Sequence, residues 1–326
     1  MSKMSTDLNR QALNGATMGT RWSALFFTRS GFDVDGAQAA LQSAVALVDR
    51  QMSTWNPDSD LMRLNRAPVG EWVSLPPDLM QVLVLGLATG RASGGAFDIG
   101  VGDAVRAWGF GPDPADQLEI GAAMRAKRVP AHEALELDGN RIRKAAPITL
   151  DLNGIAKGYG VDRLAEVLQA QGLSAGLVGI DGEMRGFGLR PDGAAWVIAV
   201  EAPDTDRRAP HSMLTLRDAA VATSGDYRHW VAVQGRRLSH TMDPASGAPL
   251  QTSPASVTVV ASTCAKADAW ATALMVAGPE HGADLAERNE LHALFVLRDG
   301  GGGLHAHGVG SLFHTTTAAM APDIRG

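Results

Sequence analysis

Leu150-Asp-Leu-Asn-Gly-Ile-Ala-Lys-Gly-Tyr159 stands at the junction of two hydrophobic periodicities. Apolar residues alternate with polar ones from position 148 to position 152, which predicts a β-strand. Apolar residues then recur at helical spacing from position 161 to position 168, which predicts an α-helix. The stretch therefore predicts a strand, a glycine-containing turn and a helix. Asp151 would end the strand and Lys157 would lie near the start of the helix.

Lys157 has a chemical meaning in that position. The first N–H groups of a helix favour anions, and a lysine beside them adds a positive charge for phosphate. The alternative is an ordinary strand–helix junction with a lysine on the surface. On these residues alone both interpretations stay open.

The amino-acid composition limits the classes of protein to which the chain can belong. The chain has 326 residues, 45% of them hydrophobic and 20% charged, enough for a substantial core in one large domain or two. The net charge is −6 and no long basic run occurs, so nucleic-acid binding is not expected. Cys264 is the only cysteine, which excludes intramolecular disulfides and CxxC zinc sites and is typical of a small core residue.

The N-terminal residues carry no apolar segment typical of a signal peptide, and no lipobox is present. We expect a flexible segment over residues 1–16. No run of 18 or more uncharged apolar residues occurs, so no membrane span is expected. As written, the sequence predicts a cytoplasmic protein, or a periplasmic one if a leader has been removed.

Helices and strands follow one another without regular β-α-β alternation, which favours the α+β class. Helices are predicted from Ala37, over residues 79–87 and from Ala265 to Ala277, with a helix cap at Ser59 or Asp60. Residues 109–147 are rich in Gly, Pro, Ala and charged residues, which predicts a peripheral section with little regular secondary structure. Strands are predicted over residues 17–28, 195–200, 229–234, 255–261 and 292–298, and a hairpin turn over Gly300 to Gly303.

Asp268 and Thr272 lie four residues apart in the last of these helices, so they are neighbours on one face. The residues around them are apolar. A carboxylate and a hydroxyl in such surroundings suit a hard cation such as Mg²⁺, which takes oxygen ligands. In the alternative, Asp268 caps the start of the helix and Thr272 bonds a backbone carbonyl one turn earlier.

His240 precedes Asp243 by three residues, in a segment whose Asp-Pro and Ser-Gly pairs predict a turn. A histidine beside a carboxylate can act as a general base at neutral pH. The alternative is a turn in which Asp243 bonds the backbone and His240 is partly exposed.

Three loops carry further candidates for ligand contact. Trp55 lies in a polar loop and is the tryptophan expected to stack on a ring, unless it anchors the loop by packing on the core. A glycine-rich loop surrounds the acid Asp98. Thr223 and Ser224 precede Gly225, where the backbone either approaches a ligand or forms a hydroxyl-capped turn.

Taken in order, these segments resemble the ApbE family of FAD:protein FMN transferases. The resemblance covers nearly the whole chain, and the ordered set is specific although each motif alone is weak. The segments are Thr17-Met-Gly-Thr20, Ser53-Thr-Trp-Asn-Pro-Asp-Ser59, Gly94-Gly-Ala-Phe-Asp98, Asp151 to Gly158, Ala222-Thr-Ser-Gly-Asp-Tyr227, Ser239-His-Thr-Met-Asp-Pro244 and Ala267-Asp-Ala-Trp-Ala-Thr272.

The resemblance implies an Mg²⁺-dependent enzyme that splits FAD between its phosphates. The FMN half would pass to a Thr or Ser hydroxyl of an acceptor flavoprotein subunit, and AMP would be released. It also implies an α+β, T-fold-like structure of mixed sheets and packed helices. Residues 17–326 would form one domain of two intertwined lobes with the flavin in a cleft between them.

Residue by residue, the resemblance assigns three sets of roles. Gly154 (through its carbonyl), Asp268 and Thr272 would hold Mg²⁺. His240 and Asp268 would be the catalytic residues, with His240 near the phosphates as the base for the incoming hydroxyl. The FAD site would be lined by Met18, Trp55, Ala96, Phe97, Asp98, Asp151, Lys157 and Met242.

The chain departs from the family pattern at two places. Trp55 stands where the family usually has tyrosine, so the stacking face is kept and the phenolic hydroxyl is lost. Asp181-Gly182 stands where the family usually has Gly-Gly. Two alternatives to transfer remain at this point: an Mg²⁺-dependent FAD pyrophosphatase, in which water replaces the acceptor hydroxyl, and a flavin-binding protein without turnover.

Overall fold

The computed structural model describes residues 8–201, 210–226, 230–233, 236–250, 254–299 and 303–313. The helices are α1 (Val34–Met52), α2 (Asp60–Arg66), α3 (Pro77–Ala92), α4 (Gly102–Ala107), α5 (Gln117–Arg125), α6 (Ala131–Ala134), α7 (Ala156–Ala170), α8 (Cys264–Ala277) and α9 (Pro279–Arg288). Within the described ranges, no helix has the length and apolar character that a bilayer crossing requires.

The first nine strands are β1 (Asn9–Thr17), β2 (Thr20–Thr28), β3 (Val73–Ser74), β4 (Leu135–Asp138), β5 (Arg141–Lys144), β6 (Gly176–Ile180), β7 (Glu183–Phe187), β8 (Trp196–Glu201) and β9 (Pro210–Leu216). The remaining strands are β10 (Ala219–Gly225), β11 (Trp230–Val233), β12 (Arg236–Ser239), β13 (Met242–Asp243), β14 (Ala248–Pro249), β15 (Ser256–Ala261), β16 (His292–Arg298) and β17 (Leu304–Val309).

Eight strands form the main sheet, in the order β1-β2-β6-β7-β10-β15-β16-β17. Every neighbouring pair in it is antiparallel. Strand β2 shows how the sheet separates two cores, because successive side chains of a strand point to opposite faces. Trp22 and Phe26 pack against α1 and α7, whereas Leu25 and Phe27 pack on the other face with Trp196 of β8. The fold is α+β, as predicted.

Strand β1 corrects the prediction of a flexible segment over residues 1–16 for residues 9–16, while residues 1–7 lie outside the described residues. Residues 9–17 pair with β2 along their whole length. The pairing of Thr17 with Thr20 leaves Met18 and Gly19 as a two-residue loop with φ of 44° and 70°. Positive φ at both positions is the geometry of a tight hairpin turn, which local alternation does not reveal when the strand is largely polar. The single-domain prediction for residues 17–326 stays a prediction.

Residues 148–152 do not join any of the described sheets, so the strand predicted there is wrong. The Asn65 side chain takes the place of a neighbouring strand: its Nδ2 donates to Leu150 O at 2.9 Å and its Oδ1 accepts from Leu150 N at 2.8 Å. Asp151 N donates to Ile99 O at 2.8 Å. Leu150, Asp151 and Leu152 are all buried, although the side chains of consecutive residues in this segment point in different directions. The helix that follows, α7, is confirmed.

The other elements mostly follow the sequence pattern. The helices predicted from Ala37, over 79–87 and over 265–277 are confirmed as α1, α3 and α8, and Ser59 caps α2 by accepting from Met62 N. The section 109–147, expected to be loose, contains α5, α6 and the strands β4 and β5. Parts of two predicted segments, 229–234 and 300–303, and Tyr227 of one motif lie outside the described residues.

Helices α7 and α8 lie in close contact at Gly158. A methyl group added there would lie 2.7 Å from the Cys264 carbonyl carbon and 2.8 Å from Asp268 Cβ, in both cases inside van der Waals contact. We therefore expect Gly158→Ala to lower the free energy of unfolding by about 1–3 kcal/mol, despite the roughly 1 kcal/mol gain in helix propensity. Urea unfolding measures the effect.

Gly111→Ala is the matched control for that substitution, because its added methyl would meet only Arg106 Cα, at 3.7 Å. A Gly158→Ala chain as stable as the parent would show that the two helices can separate at no cost.

Candidate active site

One large cavity, with a volume of about 1030 Å³, opens beside the N-terminal turn of α7 and the middle of α8. Its wall also includes the β1–β2 and β6–β7 turns, the end of β10 and three loops around Trp55, Phe97 and His240. Every predicted site residue lines it: Met18, Trp55, Ala96, Phe97, Asp98, Asp151, Gly154, Lys157, His240, Met242, Asp268 and Thr272. The fold therefore brings the predicted residues together, and their individual roles stay predictions.

Asp268 is buried at the contact of α7 and α8, with 5% of its surface exposed. Its Oδ2 accepts a hydrogen bond from Gly158 N at 2.9 Å, in the first turn of α7. Helix α8 is capped by Thr263 instead, so the alternative in which Asp268 caps its own helix is wrong. Burial first, and then the nearby Glu183, raise the pKa of the Asp268 carboxyl above its ordinary value, while Lys157 and the Gly158 N–H oppose the rise.

Thr272 faces the same cavity one turn further along α8. Its Oγ1 lies 3.2 Å from Ser224 Oγ, at the end of β10. A methyl group added to Gly154 would lie 3.1 Å from Thr272 Oγ1, so the turn before α7 and the helix α8 are in direct contact. A carboxylate, a hydroxyl and a glycine backbone thus meet at one place.

Lys157 forms an ion pair that the sequence did not indicate. Its Nζ lies 2.7 Å from Oε1 of Glu183, the first residue of β7, and 3.6 Å from Oδ2 of Asp181, in the β6–β7 turn. Burial alone would lower the pKa of Lys157, but Glu183 and then Asp268 and Asp181 raise it above its ordinary value. The lysine is therefore held in its charged form by this chain's own carboxylates.

The β6–β7 turn places Asp181 at the cavity. Ile180 pairs with Glu183, so the loop between the strands has two residues. Asp181 has a φ of 59°, a left-handed conformation that aspartate tolerates better than most residues. The turn therefore brings a carboxylate to the wall of the cavity.

Asp98 holds the glycine-rich loop in place. Its Oδ1 accepts from Gly100 N at 2.7 Å and from Ala131 N at 3.1 Å. Burial raises the pKa of the Asp98 carboxyl, and these two backbone bonds oppose the rise. The carboxylate thus connects the loop around Phe97 to α6 at the wall of the cavity.

Asp151 is buried, and its carboxylate accepts from Asn153 N at 2.9 Å and from Asn153 Nδ2 at 3.1 Å. Burial raises the pKa of Asp151 to about 6, from 3.8, against the opposing Asn153 N–H bond. The folded chain then binds this proton more tightly than the unfolded chain. Stability is consequently lost as pH rises from about 4 to about 6, by about 3 kcal/mol for a shift of this size.

We expect Asp151→Asn to be more stable than the parent at pH 7.5 by about 1–3 kcal/mol, because the amide has no charge to bury. The difference should fall below about 1 kcal/mol near pH 4, where the parent carboxyl is protonated in the folded chain and about half protonated in the unfolded chain. Urea unfolding at both pH values measures it, with Asp113→Asn, an exposed aspartate, as the control. A gap of equal size at both pH values would contradict the titration of Asp151 as its cause.

His240 lies in the loop before β13 and Asp243 is the last residue of that strand; of the two, only His240 lines the cavity. The Asp243 carboxylate accepts from Ala245 N at 2.9 Å and from Ser246 Oγ at 2.6 Å. The turn interpretation is therefore confirmed for Asp243. Met242, between them in sequence, is buried in a cluster with Trp108, whose Nε1 donates to Gly247 O.

The Trp55 side chain is 62% exposed at the cavity. The alternative in which this ring packs on the core is therefore wrong. An exposed indole on a cavity wall is available to stack on a flat ring.

The sequence pattern did not single out Glu183. It predicts Ser224 as part of a turn or of a backbone approach to a ligand, and the contact of Ser224 with Thr272 depends on the packing of β10 against α8. Glu183 follows Asp181-Gly182 on β7, and a carboxylate directly after a strand turn was the signal available.

The cavity wall combines the exposed indole of Trp55, buried apolar side chains, and carboxylate and hydroxyl oxygens near Lys157. This combination suits a ligand with an aromatic part and a phosphate part. The chain belongs to the ApbE family, whose model matches residues 18–295.

Relatives and solved structures agree with this assignment. A FAD:protein FMN transferase of Vibrio cholerae is 37% identical over 290 residues, 88% of this chain and 87% of that protein. One of Escherichia coli K12 is 32% identical over 300 residues, 88% of this chain and 84% of that protein. The apo crystal structure of the Pseudomonas stutzeri flavinyl transferase ApbE superposes with a TM-score of 0.84 at 35% identity, covering 96% of this chain and 98% of that one.

Proposed function

We propose that this chain is an Mg²⁺-dependent FAD:protein FMN transferase. The observation that carries the proposal is that the motifs shared with the family, although spread from Met18 to Thr272, converge on one cavity. The names of the matched relatives support the same activity. The substrates are FAD and an acceptor flavoprotein subunit with a Thr or Ser at its modification site.

The oxygen atoms around Asp268 fit a magnesium ion. Mg²⁺ takes oxygen ligands, binds proteins through one or two carboxylates, and completes its shell with water and substrate phosphates. In the described residues no cluster of three or more His, Cys, Asp or Glu side chains suits a metal. A metal here would therefore be held by the Asp268 carboxylate, the Thr272 hydroxyl and the Gly154 carbonyl together with the FAD phosphates. When bound, the ion supplies positive charge that neutralises the phosphates.

The reaction moves one phosphoryl group. The acceptor hydroxyl oxygen forms a bond to the phosphorus of the FMN half, and the bond from that phosphorus to the bridging oxygen breaks. AMP leaves with the bridging oxygen, and the hydroxyl proton passes to a base, for which His240 is placed on the cavity wall. Such transfers depend mainly on positioning and charge neutralisation. Lys157 adds a charge from the protein, and Trp55 offers its ring for stacking.

Incubation of the full chain with FAD, Mg²⁺ and an acceptor flavoprotein subunit tests the proposal. We expect mass spectrometry to find FMN added to a Thr or Ser of the acceptor, with one AMP released for each. Free FMN and AMP without modified acceptor would instead identify a pyrophosphatase. FAD retained without AMP would identify a flavin-binding protein.

A further inference from the structure

The N-terminal turn of α8 is capped from another helix. Asp162 of α7 accepts from Cys264 N through Oδ1 and from Ala265 N through Oδ2, both at 2.9 Å. Thr263 accepts from the next N–H, that of Lys266, at 3.3 Å. The first three N–H groups of α8, which a helix leaves without internal partners, are therefore all satisfied.

The capping is reciprocal. Asp162 of α7 caps α8, and Asp268 of α8 accepts from Gly158 N in the first turn of α7. The two carboxylates therefore tie the two N-terminal turns to each other, and Gly158 lets the backbones approach closely enough for both bonds. A shift of one helix along the other would break hydrogen bonds at both ends of this arrangement.

Strand β7 holds α7, the helix that carries Asp162, through two ion pairs. Glu183 pairs with Lys157, and Arg185, two residues along the strand and so on the same face, pairs with Asp162 at 2.6 Å. The Asp162 side chain is 7% exposed and the Arg185 side chain 20%. Charge-assisted bonds of this kind, shielded from water, hold geometry better than exposed pairs.

We propose that Asp162, supported by Arg185, is a positioning residue that sets the placement of Asp268 against the Gly154 turn and so the affinity of the site for a divalent cation. The inference rests on the proposed function of this cavity. Asp162 contacts neither the cavity nor the expected ligands: it acts through the two helices that carry them. Partners that orient metal ligands typically change metal affinity by about 10–100-fold when they are replaced.

The test is Asp162→Asn in the full chain, with Mn²⁺ as the probe and its binding followed by electron paramagnetic resonance. Asparagine has one oxygen for the two N–H groups that the carboxylate now satisfies. We expect the Kd for Mn²⁺ to rise by about 10–100-fold. The concentration of Mg²⁺ that half-saturates AMP release should rise in parallel, while kcat at saturating Mg²⁺ stays within a few-fold of the parent value.

Asp116→Asn is the matched control, because Asp116 also accepts two backbone N–H bonds at a helix start, from Leu118 and Glu119 on α5. It should leave the Kd for Mn²⁺ unchanged. Arg185→Met keeps both caps while removing the ion pair, so it serves if Asp162→Asn does not fold, and we expect a rise of at least about threefold.

A Kd for Mn²⁺ equal to that of the parent, measured in folded Asp162→Asn, would overturn the proposal even if the unfolding temperature drops. If Asp162→Asn does not fold, the same result in Arg185→Met would overturn it. Failure of the proposed function looks different. In that case the parent chain binds Mn²⁺ but releases no AMP from FAD. The rise in the Kd for Mn²⁺ from parent to variant would still be seen.

Discussion

Asp268→Asn is expected to lower Mg²⁺-dependent AMP release from FAD by at least about 100-fold. A bound cation contributes several kcal/mol to a phosphoryl transition state, and a loss of about 2.7 kcal/mol is a factor of about 100. Asp268 supplies the carboxylate of the proposed donor set, and the neutral amide holds Mg²⁺ far less well. Asparagine still offers an oxygen to Gly158 N, so the contact between α7 and α8 is kept.

Two further variants separate the metal from the fold. Asp268→Ala removes both the ligand and the Gly158 bond, so it should lose activity equally and also unfold at lower urea concentration. Asp284→Asn changes an exposed aspartate on α9 and should leave AMP release unchanged. Parent-level activity in either Asp268 variant would remove this residue from the metal site.

Lys157→Met is expected to lower the free energy of unfolding by about 2–3 kcal/mol. The substitution leaves Glu183, whose side chain is 6% exposed, without its positive partner. Breaking a buried ion pair from one side costs about 3–5 kcal/mol, and the 29% exposure of Lys157 reduces that figure. Under the proposed function FAD turnover should also fall, since Lys157 is the residue proposed to place a positive charge near the phosphates.

A double-substitution cycle tests the cause. Lys157→Met with Glu183→Gln no longer carries a buried Glu183 charge without its partner, and should recover most of the lost stability. The control is Arg163→Met on the same helix, which breaks an exposed pair with Glu166 and should cost less than about 1 kcal/mol. If the double variant is as unstable as Lys157→Met alone, an unpaired Glu183 is not the reason.

Local patterns predicted the parts of the site that lie on one element. Asp268 and Thr272 share a face of α8 because helix geometry places residues four apart together. Ser59 caps α2 because a serine oxygen reaches the N–H groups of the turn that follows it. In both cases backbone geometry within one or two turns decides the result, and that geometry can be read from spacing.

The failures have a different origin. Residues 148–152 have the alternation of a strand, yet Asn65, 85 residues away from Leu150, supplies the hydrogen bonds that a neighbouring strand would have made. Residues 9–16 form a strand because they pair with β2 through the turn at Met18. In each case a distant partner overrides local preference, which is typical of β-structure.

By itself, the sequence determined the α+β class, the main helices, the resemblance to one family and the set of residues that would line its site. Only the tertiary structure decided that Lys157 is held by Glu183, that Trp55 is exposed, and that Asp162 caps a helix 102 residues further on. The physical reason is that periodicity follows from short-range backbone geometry. Burial, charge pairing and interhelical capping depend on which distant segments meet, and no local pattern records that.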